Sequence, residues 1–236
     1  MTHLPARDIV FRHRLLILLI TLLLFLALYP FLEQEVPEKL FSVFISVTLI
    51  AGTYVVSRDR RFLAAAVVLA LGALASQWLT HFIDREVTVV LAHGSNCAFF
   101  VLITVAVLAA VVKRDEVTGD KICGAISGYL LMGMSWAFLY GLIEVLRPGS
   151  FLEAGQLIAP DRAAIHQFAL MNSMLYYSLA TLTTTTYGDI LPKTTSARAL
   201  SNLEGVAGQM YVAVLIARLV ALHILYRFNS CPQTKD

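Results

Sequence analysis

Four consecutive threonines, Thr183 to Thr186, stand directly before Tyr187, Gly188 and Asp189, and the residues around them are apolar. Other polar side chains inside apolar stretches are His93 and Asn96, three residues apart and so on one helical face, and Glu204 and Arg218 near the end of the chain. No span offers a nucleophile–base pair or a metal-ligand cluster at a recognisable spacing, so the chain is not read as an enzyme and no cofactor or resident metal is expected. Cys97, Cys123 and Cys231 are scattered, fit no metal spacing and do not suggest a disulfide framework. His93 and Asn96 either build a small polar site or hydrogen-bond between helices. His81 lies near a block boundary and reads as an interfacial residue. What the threonine run does depends on the elements that carry it.

Hydrophobic residues make up 58% of the 236-residue chain and charged residues 14%. A soluble domain has about 45–50% and about 25%. The apolar residues fall into blocks near the length that crosses a bilayer, about 20 residues. These blocks are Leu15–Leu32, Leu40–Val56, Phe62–Ile83, Val87–Val112, Ile122–Ile143 and Ala199–Tyr226. A weaker block rich in Thr and Tyr, Ala164–Leu182, precedes the last one. The first block follows Arg7, Arg12 and Arg14, as in a signal peptide. It is too long for one and no small-residue cleavage site follows, so it reads as a true span. The net charge of +2 is too small to suggest nucleic acid as a partner.

Short loops rich in Lys and Arg stay in the cytoplasm. Arg7, Arg12 and Arg14 in the leader, Arg58, Arg60 and Arg61, then Lys113, Arg114 and Lys121, and Arg227 and Lys235 in the tail follow one alternation. The intervening loops, with Glu33, Glu35, Glu38 and Lys39, and with Asp84, Arg85 and Glu86, are poorer in positive charge. Both termini are then cytoplasmic and the number of crossings is even. Six spans satisfy this if Ala164–Leu182 enters from outside and returns to the same side. The alternative is a seventh span ending at the threonines, which puts the C-terminus outside. A returning segment carries non-helical backbone at membrane depth, which is tolerated only inside protein or beside a water-filled cavity. The topology therefore implies a pore or a cavity.

The stretch Thr184-Thr185-Thr186-Tyr187-Gly188-Asp189 resembles the filter signature of the potassium-channel superfamily, Thr-Val-Gly-Tyr-Gly-Asp. Upstream, Tyr176–Thr183 is similar to the end of that family's pore helix. Downstream, Tyr187–Leu200 is similar to its turn into the inner helix, and Gly208 falls where the hinge glycine usually lies. The similarity covers the chain from about Lys121 onward. It implies rings of backbone carbonyls from four chains that replace an ion's water shell. By resemblance, the Thr184 hydroxyl completes the lowest site, the carbonyls of Thr185, Thr186 and Tyr187 form the next rings, and Gly188 the outermost. A short pore helix, Ala169–Thr181, aims its negative end at the ion. Asp189 is expected to brace the filter against aromatic donors at Tyr176 and Tyr177, or else to be a solvated carboxylate at the mouth. Ala180 stands where some relatives place an acidic partner.

Position 186 departs from the pattern: it is glycine in the signature and threonine here. Successive carbonyls aimed at one axis require alternating backbone handedness, which glycine supplies freely. An L-residue there costs roughly 1–2 kcal/mol, and a β-branched one is an outlier. Four chains raise this to something on the order of 4–8 kcal/mol. Either packing holds the strain, or the filter relaxes and turns a carbonyl away.

The first four spans do not make a conventional voltage sensor, because no Lys or Arg lies between Arg85 and Lys113. Glu204 shares a face with Gly208 and is expected against the pore helix or a neighbouring subunit, with a neutral hydrogen-bonded form among the options. Arg218 either snorkels to the surface or sits near a gate. Gly205 and Gly208 mark a hinge or a close helix crossing.

The expectation is an all-α membrane protein with six transmembrane helices, and a re-entrant pore helix and filter loop between the fifth and sixth. Residues 1–115 form a four-helix region, 116–228 the pore domain and 229–236 a short cytoplasmic tail. The resemblance implies a homotetrameric cation channel in the plasma (cell inner) membrane. It contacts lipid and passes K+, with Na+ as the second candidate ion. The alternatives are a non-selective cation channel and a non-conducting scaffold or sensor.

Overall fold

The computed structural model describes residues 14–28, 37–56, 60–79, 86–112, 119–159 and 167–230. Arg7, Arg12, Arg58, His81, Lys113, Arg114, Cys231, Lys235 and the approach to the pore segment at 160–166 lie outside the described residues.

Five helices come first: α1 (Arg14–Leu28), α2 (Pro37–Val56), α3 (Arg60–Leu79), α4 (Glu86–Val112) and α5 (Gly119–Leu146). A two-stranded turn follows, β1 (Phe151–Glu153) and β2 (Gln156–Leu157). The short helix α6 (Gln167–Leu182) leads into the threonine loop, then β3 (Ile190–Pro192) and the long α7 (Thr195–Ser230). Leu- and Ala-rich composition favours helix in α1 and α3, whereas α2 is rich in β-branched Val, Ile and Thr and gains less from propensity. In a bilayer the helix also satisfies every backbone group internally. Among the described residues, three helices are long and apolar enough to cross a membrane: Thr88–Val112, Gly119–Leu146 and Thr195–Arg218. Arg14–Leu28, Ile45–Val55 and Phe62–Ser76 are shorter apolar helices.

The expectation of an all-α chain is corrected to a mostly helical one. The strands form a small antiparallel sheet of order β2-β1-β3, with Leu152 opposite Leu157 and also opposite Leu191. The cause is local. The segment after α5 cannot continue as helix past Pro148 and Gly149, and its backbone groups pair instead with the extended segment that follows the threonine loop. The sheet thereby joins the chain ahead of α6 to the chain behind the loop. α6 and the threonines leave from one place and come back to it.

α5 is the hub, packing against α1, α4, α6 and α7. Four of its glycines, Gly124, Gly128, Gly133 and Gly141, make this possible. A Cβ on Gly124 would lie 2.8 Å from the Leu15 side chain, and one on Gly133 would lie 2.9 Å from Leu179 of α6. Small residues at these crossings let helices approach closely. Aromatic rings fill the α4–α5 seam, where Phe100 and Phe138 stack with centroids 5.1 Å apart.

Candidate functional site

α6 ends at Leu182 with carbonyls that have no partner inside the helix. The threonine loop uses them. Thr183 donates its amide to Leu179 O at 3.0 Å and Thr184 to Thr181 O at 3.0 Å. Thr185 and Thr186 both donate to Ala180 O, at 2.9 and 3.2 Å. Beyond the helix the backbone changes hand at every second residue: φ is positive at Thr184 (59°), Thr186 (34°) and Gly188 (84°). In a planar trans peptide the N–H points opposite to the preceding C=O. The amides of Thr185 and Thr186 face Ala180, so the carbonyls of Thr184 and Thr185 face away from the helix. Residues Thr183 to Asp189 are exposed in the single chain. The result is a strip of oxygen acceptors on the open side of the loop, the ligand type that suits a hard cation.

The sequence singles out one threonine at a glycine-like position, and the structure has two. Thr186 keeps the positive φ instead of relaxing, and Thr184 shares it. The hydroxyls are tied locally. Thr183 donates to Leu179 O at 2.7 Å, Thr184 to Thr183 O at 2.7 Å, and the Thr183 and Thr185 hydroxyls lie 2.9 Å apart. The Gln209 amide of α7 approaches the Thr184 hydroxyl at 3.4 Å.

Behind the loop, Tyr176 donates its hydroxyl to Asp189 Oδ2 at 2.8 Å, and its ring stacks on Tyr187 with centroids 5.9 Å apart. Asp189 Oδ1 accepts the Ile190 amide at 3.1 Å, and its carbonyl accepts the Ala154 amide at 2.9 Å. Tyr177 goes elsewhere. Its ring sits 5.3 Å from both Tyr140 and Phe151, and its hydroxyl pairs with Ser201 of α7 at 2.6 Å. The neighbouring tyrosines thus divide the work: Tyr176 reaches the mouth carboxylate and Tyr177 the helix that follows.

α6 and α7 share a seam in which both chains advance in the same sense. Tyr177 meets Ser201, Ser178 meets Glu204 at 2.5 Å, and Leu182 meets Gly208. A Cβ on Gly208 would lie 2.5 Å from the Leu182 carbonyl oxygen, so the absence of a side chain is a packing requirement there. α7 runs through this point without a break. Tyr129 of α5 donates to the same Leu182 oxygen at 2.9 Å. Gly205 has nothing within 4 Å of a built Cβ. Arg218 is half-exposed and sits on the end of α4. Its two terminal nitrogens donate to Val111 O and Val112 O at 2.7 and 2.9 Å, capping the end of α4.

Sequence reasoning missed Ser178, Tyr140, Tyr129 and Glu144. Glu144 is fully buried in the last turn of α5, where it accepts the amides of Gly149 at 2.7 Å, Ser150 at 2.9 Å and Phe151 at 3.1 Å. An acidic residue closing an apolar helix just before Arg-Pro-Gly-Ser was the available signal. His93 and Asn96 are buried and bond back to their own helix, to Val89 O at 3.0 Å and Ala92 O at 2.8 Å. His93 faces α5, where it packs edge-on to Phe138. Among the described residues no group of three or more His, Cys, Asp or Glu could hold a metal ion.

Compared with known proteins, residues 142–223 match the family model described as "Ion channel". The matched stretch begins at the end of α5 and takes in the sheet, α6, the threonine loop and most of α7. No curated protein and no solved structure matches the chain.

Proposed function

We propose that this chain, whose residues 142–223 match an ion-channel family model, belongs to the potassium-channel superfamily and is one subunit of a homotetrameric cation channel. The observation that carries the reading is the loop backbone. Handedness alternates at 184, 186 and 188, while the amides of 185 and 186 turn onto the end of α6. That leaves carbonyl oxygens on the one side of the loop that this chain does not cover. One strip is a quarter of a ring, and four strips around an axis would replace the water shell of K+. Thr184, Thr185, Thr186, Tyr187 and Gly188 are the ion-binding residues in this reading. Tyr176 and Asp189 hold the mouth, and Tyr177 holds the pore helix.

The common sheet at both ends of the α6–loop segment supports a re-entrant pore between a fifth and a sixth span. With the three shorter apolar helices counted, the chain would cross a cell inner membrane six times, with both ends cytoplasmic. Tetramer formation is supported by the apolar side chains α7 leaves exposed, Leu203, Val206, Met210, Val214 and Ile216 among them. They suit neighbouring subunits and lipid.

Potassium is the preferred ion in this reading, with selectivity weakened at Thr186. A β-branched residue at positive φ is strained. Two such threonines in each of four chains store on the order of 8–16 kcal/mol, which the bonds to Ala180 must hold in place. Reversal potentials under bi-ionic K+ and Na+, in liposomes of purified protein, test this. Thr186→Gly is expected to raise the preference for K+ over Na+. Equal and strong selectivity in both proteins would remove the strain argument. A wild-type protein that passes neither ion would favour a non-conducting scaffold.

A further inference from the structure

Glu204 is fully buried at the seam of three helices. Tyr140 of α5 donates its hydroxyl to Glu204 Oε2 at 2.6 Å. Ser178 of α6 lies 2.5 Å from Glu204 Oε1 and 2.7 Å from the carbonyl oxygen of Gly133. A serine hydroxyl has one hydrogen, and a carbonyl only accepts. If Glu204 were a carboxylate, Ser178 would face two acceptors with one hydrogen, and one short contact would be unbonded. A hydrogen on Glu204 completes the set: Tyr140 to Oε2, Oε1–H to Ser178, Ser178 to Gly133. The titratable groups facing the carboxyl are phenols, Tyr140 and, further along, Tyr129 on α5, and Tyr177 on α6.

Ser178 is two residues from Ala180, whose carbonyl holds the amides of Thr185 and Thr186. We propose that Glu204, held as the neutral acid, is a positioning residue for the filter: through Ser178 it fixes the end of α6, and α6 fixes the strained threonines. The proposal rests on the channel reading above. It adds that a buried acid outside the conduction path sets the filter's geometry.

Infrared difference spectra and bi-ionic flux on full-length protein in liposomes test it together. Wild type at neutral pH should show the carbonyl band of a protonated carboxylic acid, and Glu204→Gln should lack it. Glutamine can donate to Ser178 and accept from Tyr140, so Glu204→Gln should keep flux and K+/Na+ selectivity within about twofold of wild type. Glu204→Leu and the smaller change Ser178→Ala should each lower selectivity by about tenfold, the loss of one buried hydrogen-bonded link. The double variant should be little worse than either single one. Ser178→Ala keeps the test open if Glu204→Leu fails to assemble. An ionised carboxylate in wild type, a Glu204→Gln protein as damaged as Glu204→Leu, or a Ser178→Ala protein as selective as wild type would each overturn the proposal. A wild-type protein with the acid band and no ion flux would overturn the channel reading, and the filter role with it, leaving the proton assignment standing.

Discussion

In α1 to α4 the hydroxyl side chains turn back onto their own helices: Thr21 to Ile17 O at 2.9 Å, Thr53 to Leu49 O at 2.8 Å, Thr104 to Phe100 O at 2.7 Å. In α5 to α7 some also turn back, such as Ser135 to Leu131 O and Ser201 to Ala197 O, but others cross between elements: Tyr129 to Leu182 O, Tyr140 to Glu204, Ser178 to Gly133 O, Tyr211 to Ala125 O. Cross-helix polar contacts also occur in the first region, Ser76 with Ser95 at 3.2 Å and Arg14 to Val55 O at 3.2 Å, but these two are only half-buried. A helix whose hydroxyls are satisfied internally can shift against its neighbours without losing a hydrogen bond. One bonded across cannot. The second region therefore has the fixed geometry a functional loop needs, held by groups that are themselves locked. The first region is held chiefly by the shape of its apolar side chains.

If that contrast is right, the largest loss comes from cutting an acceptor that serves several backbone amides at once. Glu144→Ala strands three buried or half-buried amides, each costing about 1–3 kcal/mol. Thermal unfolding in detergent should register roughly 3 kcal/mol or more. A change under about 1 kcal/mol would mean that water replaces the carboxylate and that the turn is less fixed than its bonds imply. Gly208→Ala comes next. Its Cβ would push against the Leu182 carbonyl, a backbone atom that cannot swing aside. Overpacking of this kind costs about 1–3 kcal/mol, and filter selectivity should fall with stability. Unchanged stability and selectivity, with altered open probability alone, would point to a hinge instead.

The sequence made the helices legible because bilayer-length apolar blocks leave little choice, and the helix limits fall within a few residues of the block limits. It made Thr186 conspicuous because the resemblance supplied a pattern to depart from. It could not show that Thr184 shares the left-handed backbone, since that depends on how the loop amides reach Ala180. Nor could it separate Tyr176 from Tyr177. Adjacent residues on a helix point about a quarter-turn apart, and only the packing of α5 and α7 decides which phenol meets Asp189. Glu204 was visible as a charge in an apolar helix, whereas its partners on two other helices were not. The small sheet was missed because strands of two or three residues carry no periodicity to read.

Arg218 spans the contrast, since it belongs to α7 and its hydrogen bonds are on α4. Arg218→Met removes two charge-assisted bonds in a half-exposed setting, a loss of about 1–2 kcal/mol once solvent screening is allowed for. Spin labels at the end of α4 and on the last turns of α7 should report a broader distance distribution in the variant. Unchanged distances would show that apolar packing alone joins the regions, and Arg218 would then be a cap for α4 with no wider effect.

The smallest effect is expected at Thr53. Its hydroxyl donates to Leu49 O, a carbonyl whose helical position already gives it an amide donor. Thr53→Val keeps the branched shape and leaves no acceptor stranded, so stability should stay within about 0.5 kcal/mol. The matched change in the other region is Tyr140→Phe, which also removes a single hydroxyl. There the lost partner is Glu204 Oε2, buried and on another helix, and the cost should reach about 1–3 kcal/mol. The two substitutions delete the same chemical group from one protein under one denaturation protocol. The difference between them isolates whether a hydroxyl bonds within its helix or across to another. Equal losses would break the comparison, because the two regions would then be held together in the same way.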